Sequence, residues 1–437
     1  MSRICVIGAG RVGLVIAACF AEAGHSVACV DTDVEKIKQL WRNEMPFYEH
    51  YLEKLVVSNM DKGNLIFTTS YKDLLDDVEF AFITVGTPTD STGKSDVSAV
   101  VKAIRSVMLA SFAPLTIVIK STIPVGTSEA MKELVEAYYT SSHTTRKSEV
   151  VFNPEFLQEG NAINNFMSPD RIILGTDNEE AAFKVAKLYS GCMFNQAPIV
   201  VTDFKSAEMI KYASNAYLAT RISFINEMAN ICDVLGADIK EVALGMGYDK
   251  RIGNSYLSPG MGYGGSCFPK DIASLKQQAN KENYYPYILT ATETINSEQI
   301  RQVRNFLYCE LDNLVDKSIG VLGLSFKPNT DDIREAPALK LIERLLAWGA
   351  KVKVYDPMAM ENTKKEFPQI IYCNNAYEVA TDADALVIAT DWEVFRQLNL
   401  QQIKSMMKTP VLIDGRNMFS PEVMRTWGFR CHGMGRR

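Results

Sequence analysis

Arg3-Ile4-Cys5-Val6-Ile7-Gly8-Ala9-Gly10-Arg11-Val12-Gly13 is the stretch on which the reading of the fold turns. Ile4–Ile7 is an apolar run of strand length, and the glycines behind it end it at once. Val12–Glu22 then reads as a helix and Val27–Val30 as a second strand closing on Asp31. Strand, glycine turn, helix and strand in that order form a parallel βαβ unit. Gly8 permits a tight turn, Gly10 lets the backbone approach a pyrophosphate, and Gly13 allows close helix–strand packing. The start of the helix, with roughly half a positive charge, points at the phosphates. A lone glycine pattern is weak, but this one has its strand, its helix and its next strand.

Asp31 bears on which dinucleotide is bound. At the end of the second strand it is placed to accept hydrogen bonds from the adenosine ribose, which favours NAD over NADP. A 2′-phosphate set ~4 Å from a carboxylate costs on the order of 4 kcal/mol per charge pair at an effective dielectric of ~20. Lys36 and Arg11 are close enough in sequence to offset part of that repulsion.

Phe80–Val85 and Thr116–Lys120 continue the α/β alternation. It breaks at Phe204–Leu235, which holds neither Pro nor Gly and repeats apolar residues every three to four positions at Leu218, Ile222, Ile225, Met228, Cys232 and Leu235. That spacing predicts one helix of roughly 30 residues, about 45 Å long, stopped at Gly236. A helix of this length is expected to run between domains and to offer a subunit interface. The α/β pattern then returns, with strands at Ile319–Leu322, Val352–Tyr355, Ala385–Ala389 and Val411–Asp414, and a helix at Ala336–Trp348. The fold class is therefore α/β, with two Rossmann-like doubly wound domains joined by a long central helix.

The 437-residue chain carries a formal net charge of −6, which argues against nucleic acid as a partner. Any anionic substrate must be held by local cations. The apolar runs fall far short of the ~20 residues a membrane span needs, and no signal peptide is evident. Nine cysteines without CxxC or metal-like spacing point to a reducing compartment and a cytoplasmic location. His25, His50, His143 and His432 form no constellation, so neither a metal site nor a Ser-His-Asp triad is expected.

The chemistry is expected at Gly262-Tyr263-Gly264-Gly265-Ser266-Cys267-Phe268-Pro269-Lys270-Asp271. A cysteine between Gly-Gly and Phe-Pro sits on irregular backbone that a ligand can approach, so Cys267 reads as a nucleophile. Cys5, Cys19, Cys29 and Cys232 lie within strand or helix patterns and read as buried packing. A thiol at its ordinary pKa is only a few per cent thiolate at pH 7, so a nearby cation helps. Lys211 is a candidate, with Asn215 one turn later on the same helix face and small residues Ala213, Ser214 and Ala216 around it. Taken alone, Lys211 reads as a solvated surface lysine.

These stretches, with VGTPT (85–89), STIPVGT (121–127), NPEFLQEG (153–160), KYASN (211–215), GLSFKPNTDDIRE (323–335) and DGRN (414–417), resemble the UDP-glucose/GDP-mannose dehydrogenase family in the same order along nearly the whole chain. The resemblance implies an NAD-binding Rossmann domain over 1–200, a central helical dimerisation segment over 201–300 and a UDP-sugar-binding Rossmann-like domain over 315–437, assembling as a homodimer or a multiple of it. It also implies a four-electron oxidation of a hexose C6 alcohol to a carboxylate, with two NAD reduced and the aldehyde held on Cys267 as thiohemiacetal and then thioester. Lys211 and Asn215 match the oxyanion-stabilising positions, Asp271 a helper in proton transfer, Glu155 the acid or base for thioester hydrolysis, and Thr122 a neighbour of the water. Cofactor contacts are implied for Gly8, Gly10, Val12, Gly13, Asp31, Lys36, Thr87, Pro88, Thr122, Glu159 and Arg334. Substrate contacts are implied for Glu155, Phe156, Leu157, Lys211, Asn215, Arg251, Tyr256, Gly264, Lys327 and Arg416, with Arg251 reaching the neighbouring subunit's site.

Within the family, GGSCFPKD and Arg251-Ile252-Gly253-Asn254 look more like members acting on UDP-glucose than on GDP-mannose or N-acetylhexosamines. Arg11 departs from the family, which usually has an aromatic residue there, and His50-Tyr51 replaces the usual Pro-Gly after Pro46 and Glu49. A single-step β-hydroxyacid dehydrogenase shares the Lys-x-x-x-Asn helix but has no use for Cys267 or a third domain. A non-catalytic NAD-sensing module has no use for Lys211, Asn215, Cys267 and Asp271 together.

Overall fold

The computed structural model describes residues 1–71, 74, 75, 77–111, 113–141, 147–190 and 196–436; His143 and Cys192 lie outside the described residues. The chain divides into two compact units, Met1–Ser214 with Ala273–Gln278, and Asn215–Ile272 with Ala279–Arg437.

In the first unit the strands are β1 (Arg3–Ile7), β2 (Ser26–Val30), β3 (Leu65–Thr68), β4 (Phe80–Ile83), β5 (Thr116–Ile119), β6 (Glu149–Phe152), β7 (Ile172–Gly175) and β8 (Ile199–Thr202). They form one sheet in the order β3-β2-β1-β4-β5-β6-β7-β8. Pairing is parallel from β3 to β6, and β7 joins β6 in the opposite direction. The two-residue period of a strand sends Ile4, Val6, Phe80 and Phe82 to the face covered by helix Arg11–Glu22. It sends Cys5, Ile7, Ala81 and Ile83 to the face covered by helix Ser98–Ala110. Burial on both faces explains why these strands read as unbroken apolar runs.

The second unit repeats the arrangement with β9 (Ser318–Leu322), β10 (Lys351–Tyr355), β11 (Ile371–Tyr372), β12 (Ala385–Ile388), β13 (Val411–Asp414) and β14 (Arg430–Gly433). Their order, β11-β10-β9-β12-β13-β14, is the doubly wound order again, here wholly parallel. The predicted long helix is Phe204–Leu235; residues 204–214 belong to the first unit and 215–235 to the second. Gly236 ends it in the left-handed region, with its N–H bonded to the Cys232 carbonyl at 2.8 Å.

Asp356, just after β10, locks the second sheet. Its carboxylate accepts hydrogen bonds from the N–H groups of Leu324, Ser325, Met358 and Ala359, from Ser325 Oγ and from Trp392 Nε1, at distances between 2.7 and 3.2 Å. Replacing it with Ala leaves several buried donors unmet, which costs on the order of 3 kcal/mol. Asp356→Ala is therefore expected to lower the unfolding midpoint in guanidinium and to speed amide exchange across residues 318–436. Unchanged exchange there would contradict this account.

Candidate functional site

The first unit gathers its polar residues at the ends of parallel strands. β1 leads into the glycine turn, β2 into Asp31, β4 into Thr84 and Thr87, β5 into Lys120, Ser121 and Thr122, and β6 into Asn153–Leu157. In an open α/β sheet this edge, where the strand order reverses beside β1, is where ligands bind. Gly13 is obligatory there: a Cβ on it would lie 1.8 Å from the Gly8 carbonyl oxygen and 2.4 Å from Thr84 Oγ1. Gly10, by contrast, has no atom within 4 Å of where its Cβ would stand, so the face of the turn is open.

Asp31 accepts from the Ala9 N–H at 2.8 Å, the Asp33 N–H at 2.9 Å and Lys36 Nζ at 2.8 Å. Burial pushes its carboxyl up, but these donors and the Lys36 charge outweigh that and hold it below the usual carboxylate range. Thr87 Oγ1 donates to the Thr122 carbonyl at 2.7 Å, tying the turn after β4 to the turn after β5. Arg11 lies over the Phe47 ring at 5.0 Å and 3.4 Å from the Glu159 carboxylate. The region 43–56, where the sequence departs from the family pattern, is anchored by Glu49. Its buried carboxylate accepts from the N–H groups of Gly160 and Ala162 at 2.6 and 2.9 Å.

Lys211 is not a surface lysine. It is 2% exposed and donates to the Glu155 carboxylate at 2.9 Å and the Glu155 carbonyl at 2.7 Å. Glu155 also accepts from the Leu157 N–H at 2.6 Å. Burial raises the Glu155 carboxyl, yet the Lys211 charge and hydrogen bond, the Leu157 N–H and the Lys120 charge together hold it below its ordinary value. Phe156 lies under the guanidinium of Arg171 at 3.5 Å and within 5.2 Å of Lys211 Nζ.

In the second unit Cys267 is exposed and immediately precedes helix Phe268–Lys281, its carbonyl accepting the Asp271 N–H at 2.9 Å. Cys5, Cys19, Cys29 and Cys232 are buried, as their strand and helix positions predict. Asp271 is buried in the first turn of that helix and accepts from Asn215 Nδ2 and from Lys270 Nζ, each at 2.6 Å. Gly264 leaves no room for a side chain, since its Cβ would lie 2.3 Å from the Glu335 carbonyl oxygen. The Gly265 N–H is held by the Arg334 carbonyl at 2.9 Å. Arg416 braces the same loop, donating to the carbonyls of Ala389, Gly262 and Phe326 at 2.8, 3.3 and 3.4 Å. Tyr256 and Tyr263 pack near Phe268, and Lys327 lies by the Phe326 ring. Arg334 is clamped on Asp332, and Arg251 on Asp249 with its side chain 89% exposed.

Residues 2–193 match the NAD binding domain of the UDP-glucose/GDP-mannose dehydrogenase family, 205–298 its central domain and 320–421 its UDP binding domain. The chain belongs to this family. A UDP-glucose 6-dehydrogenase of Pseudomonas aeruginosa is 42% identical over 99% of this chain and 97% of its own length. Among solved structures, a UDP-glucose dehydrogenase of Pyrobaculum islandicum superposes with a TM-score of 0.92 at 34% identity, covering 100% of this chain and 98% of that one. A UDP-D-ManNAc dehydrogenase of Pyrococcus horikoshii gives 0.87 at 29% identity, covering 99% of each chain. The chain is thus an oxidoreductase of the NAD-dependent kind, and its own geometry fits that cofactor: an open face at Gly10 and an ionised carboxylate after β2.

Lys120 and Glu49 were not legible as site residues. Lys120 closes an apolar strand and Glu49 sits in a divergent loop, so only long-range contacts reveal what each holds. The P-x-x-E spacing of Pro46 and Glu49 was the one signal available for the latter.

Lys36 at 2.8 Å neutralises part of the Asp31 charge, so discrimination against NADP is expected to be smaller than for a bare carboxylate. Asp31→Ser is expected to lower kcat/KM for NAD on the order of 10- to 100-fold through lost charged hydrogen bonds, and to raise the NADP/NAD ratio. Parallel kinetics with both cofactors tests this; a wild type that prefers NADP would refute it.

Proposed function

We propose that the chain oxidises the C6 alcohol of UDP-glucose to the carboxylate of UDP-glucuronate, reducing two NAD per sugar. One observation carries the four-electron reading: the loop nucleophile Cys267 opens a helix whose first turn buries Asp271 against Asn215. A two-electron dehydrogenase has no use for that thiol. UDP-glucose is favoured because relatives of that name match over the full length. The UDP-D-ManNAc enzyme among the solved structures keeps a UDP-N-acetylhexosamine as the second candidate.

Bound NAD supplies the hydride acceptor in each oxidation. Lys211 and Asn215 stabilise negative charge developing on the C6 oxygen, with Asp271 assisting proton transfer. Cys267 Sγ, at the positive end of helix Phe268–Lys281, adds as thiolate to the aldehyde carbon, and the carbonyl oxygen takes a proton to give a thiohemiacetal. Loss of the second hydride and the hydroxyl proton gives a thioester. Water, near Thr122 and deprotonated by ionised Glu155, adds to the thioester carbon, and the thiolate leaves. Each sugar thus consumes one water and releases a carboxylate. Lys327 and Arg416 are assigned to the UDP phosphates, and Thr87, Pro88, Glu159, Lys36 and Arg334 to the cofactor.

We assign the central segment to dimerisation in the cytoplasm, the uronate product feeding polysaccharide synthesis. Tyr217, Phe224 and Ile231 are exposed at seven-residue intervals along the long helix, and Val234 and Leu235 are 78% and 77% exposed at its end. An apolar stripe of that kind is costly in water and suited to a second copy. Arg251, exposed in one chain, is the residue expected to enter the neighbouring site.

Two NADH per UDP-glucose consumed is the expected stoichiometry, read at the nicotinamide absorbance across a panel of UDP- and GDP-sugars. One NADH with accumulating aldehyde would sink the mechanism. Cys267→Ala is expected to abolish steady UDP-glucuronate formation while NAD and UDP-glucose still bind. Cys267→Ser is expected to form an ester that hydrolyses far more slowly than a thioester, visible as a covalent adduct in intact-protein mass spectrometry. Phe224→Glu with Ile231→Glu is expected to halve the mass seen by light scattering; an unchanged assembly would place the interface elsewhere.

A further inference from the structure

Lys120 directly follows β5, after the buried apolar residues Ile117, Val118 and Ile119, and it is itself only 4% exposed. Its Nζ donates to Asn153 Oδ1 at 3.1 Å, to the Pro154 carbonyl at 3.3 Å and to Tyr189 Oη at 3.1 Å. Tyr189 Oη in turn donates to Asn153 Oδ1 at 2.5 Å, and Asn153 Nδ2 to the Ile173 carbonyl at 2.9 Å. None of these three acceptors on Lys120 is a carboxylate. An ammonium buried against neutral acceptors is destabilised, and burial lowers Lys120 from 10.5 to about 7. A Met or Leu would fill this end of an apolar strand without that penalty, so packing does not account for a lysine here.

The groups it faces do account for it. From β6 and its following turn come Asn153, Pro154 and the Glu155 carboxylate; from helix Glu179–Tyr189 comes Tyr189; from the long helix comes Lys211, whose charge opposes that of Lys120. Arg171, half-buried over Phe156, also senses Glu155. Pro154 is the residue directly before Glu155, so the bond to its carbonyl fixes the backbone from which Glu155 reaches Lys211.

We propose that Lys120 is a positioning residue for Glu155: its ammonium pins the Asn153–Pro154 turn and supplies a second positive charge that keeps the Glu155 carboxylate ionised beside Lys211. This rests on the reading of Glu155 as the base that activates water. The sign follows from the charge. Removing a cation near a carboxylate makes the carboxylate easier to protonate, so the acid limb of the rate profile must move to higher pH.

The test is the pH dependence of kcat and kcat/KM for wild type, Lys120→Met, Lys120→Gln and Lys120→Arg, each checked for folding by its melting temperature and for NAD binding by calorimetry. Lys120→Met and Lys120→Gln are both expected to raise the acid limb by on the order of one pH unit. Gln keeps hydrogen-bond donors for the Pro154 carbonyl, so it serves if the Met variant folds poorly. Lys120→Arg, which keeps the charge, is expected to leave the limb where the wild type has it. A limb unmoved in both folded neutral variants overturns the proposal, as does a loss of stability with no change in the profile. Glu155→Gln separates the two readings. If the limb persists in that variant, Glu155 is not the base; if it vanishes there yet does not move in the Lys120 variants, only the role of Lys120 falls.

Discussion

Parallel pairing of β1 with β2 and β4 requires that these strands end at one edge of the sheet, and the chemistry of the first unit follows from that requirement. A strand end frees backbone from the ladder, so the residue after it can turn a side chain toward a ligand. Asp31, Thr87, Thr122 and Glu155 are brought to the same edge although up to 124 positions separate them. The helix that follows β1 can approach only because Gly13 has no Cβ to meet Gly8 and Thr84. Strand polarity selects the edge, and that close contact aims the helix at it.

The two sheets share a strand order and part company at one carboxylate. Asp31 follows the second strand of its sheet and Asp356 the second strand of its own, and both accept backbone N–H groups from the turn after the first strand. Asp31 is only half-buried and is paired with the Lys36 ammonium at 2.8 Å. Asp356 is saturated by main-chain donors, Ser325 and Trp392, and no edge of it faces solvent. The same topology therefore leaves a partly exposed carboxylate in one unit and a buried structural tie in the other. This difference in burial is the physical content of a second Rossmann-like sheet without a glycine fingerprint.

A net charge of −6 leaves the binding of anions to local cations, and the structure disposes them unequally. Lys211 is buried and Arg416 half-buried, and both hold backbone carbonyls. Withdrawal from solvent raises the cost of an unpaired charge and strengthens a paired one. Arg251, paired with Asp249 on the surface, is weakly constrained by comparison, whereas Arg334 is clamped on the buried Asp332 carboxylate.

Much of the fold was legible in order along the chain. Short apolar runs with turn residues behind them marked β1, β2, β4 and β5 of the first sheet and β9, β10, β12 and β13 of the second, and a 3.6-residue period without Pro or Gly marked Phe204–Leu235. Those are local properties, because backbone geometry repeats over a few residues and composition records it. Cys267 was legible for a related reason: the glycines before it interrupt regular structure, and Pro269 lies in the first turn of the helix that follows. The sequence by itself thus determined the central strands of both sheets, the long helix, the glycine turn and the exposed thiol. Tertiary structure alone decided that Lys211 is buried on Glu155, that Asp271 is held by Asn215, that Glu49 caps the loop at Gly160, and that Lys120 stands behind Glu155. A charged side chain carries no local mark of its partner; whether it is solvated or paired depends on residues 34 to 111 positions away, which only the folded sheet brings within hydrogen-bond reach.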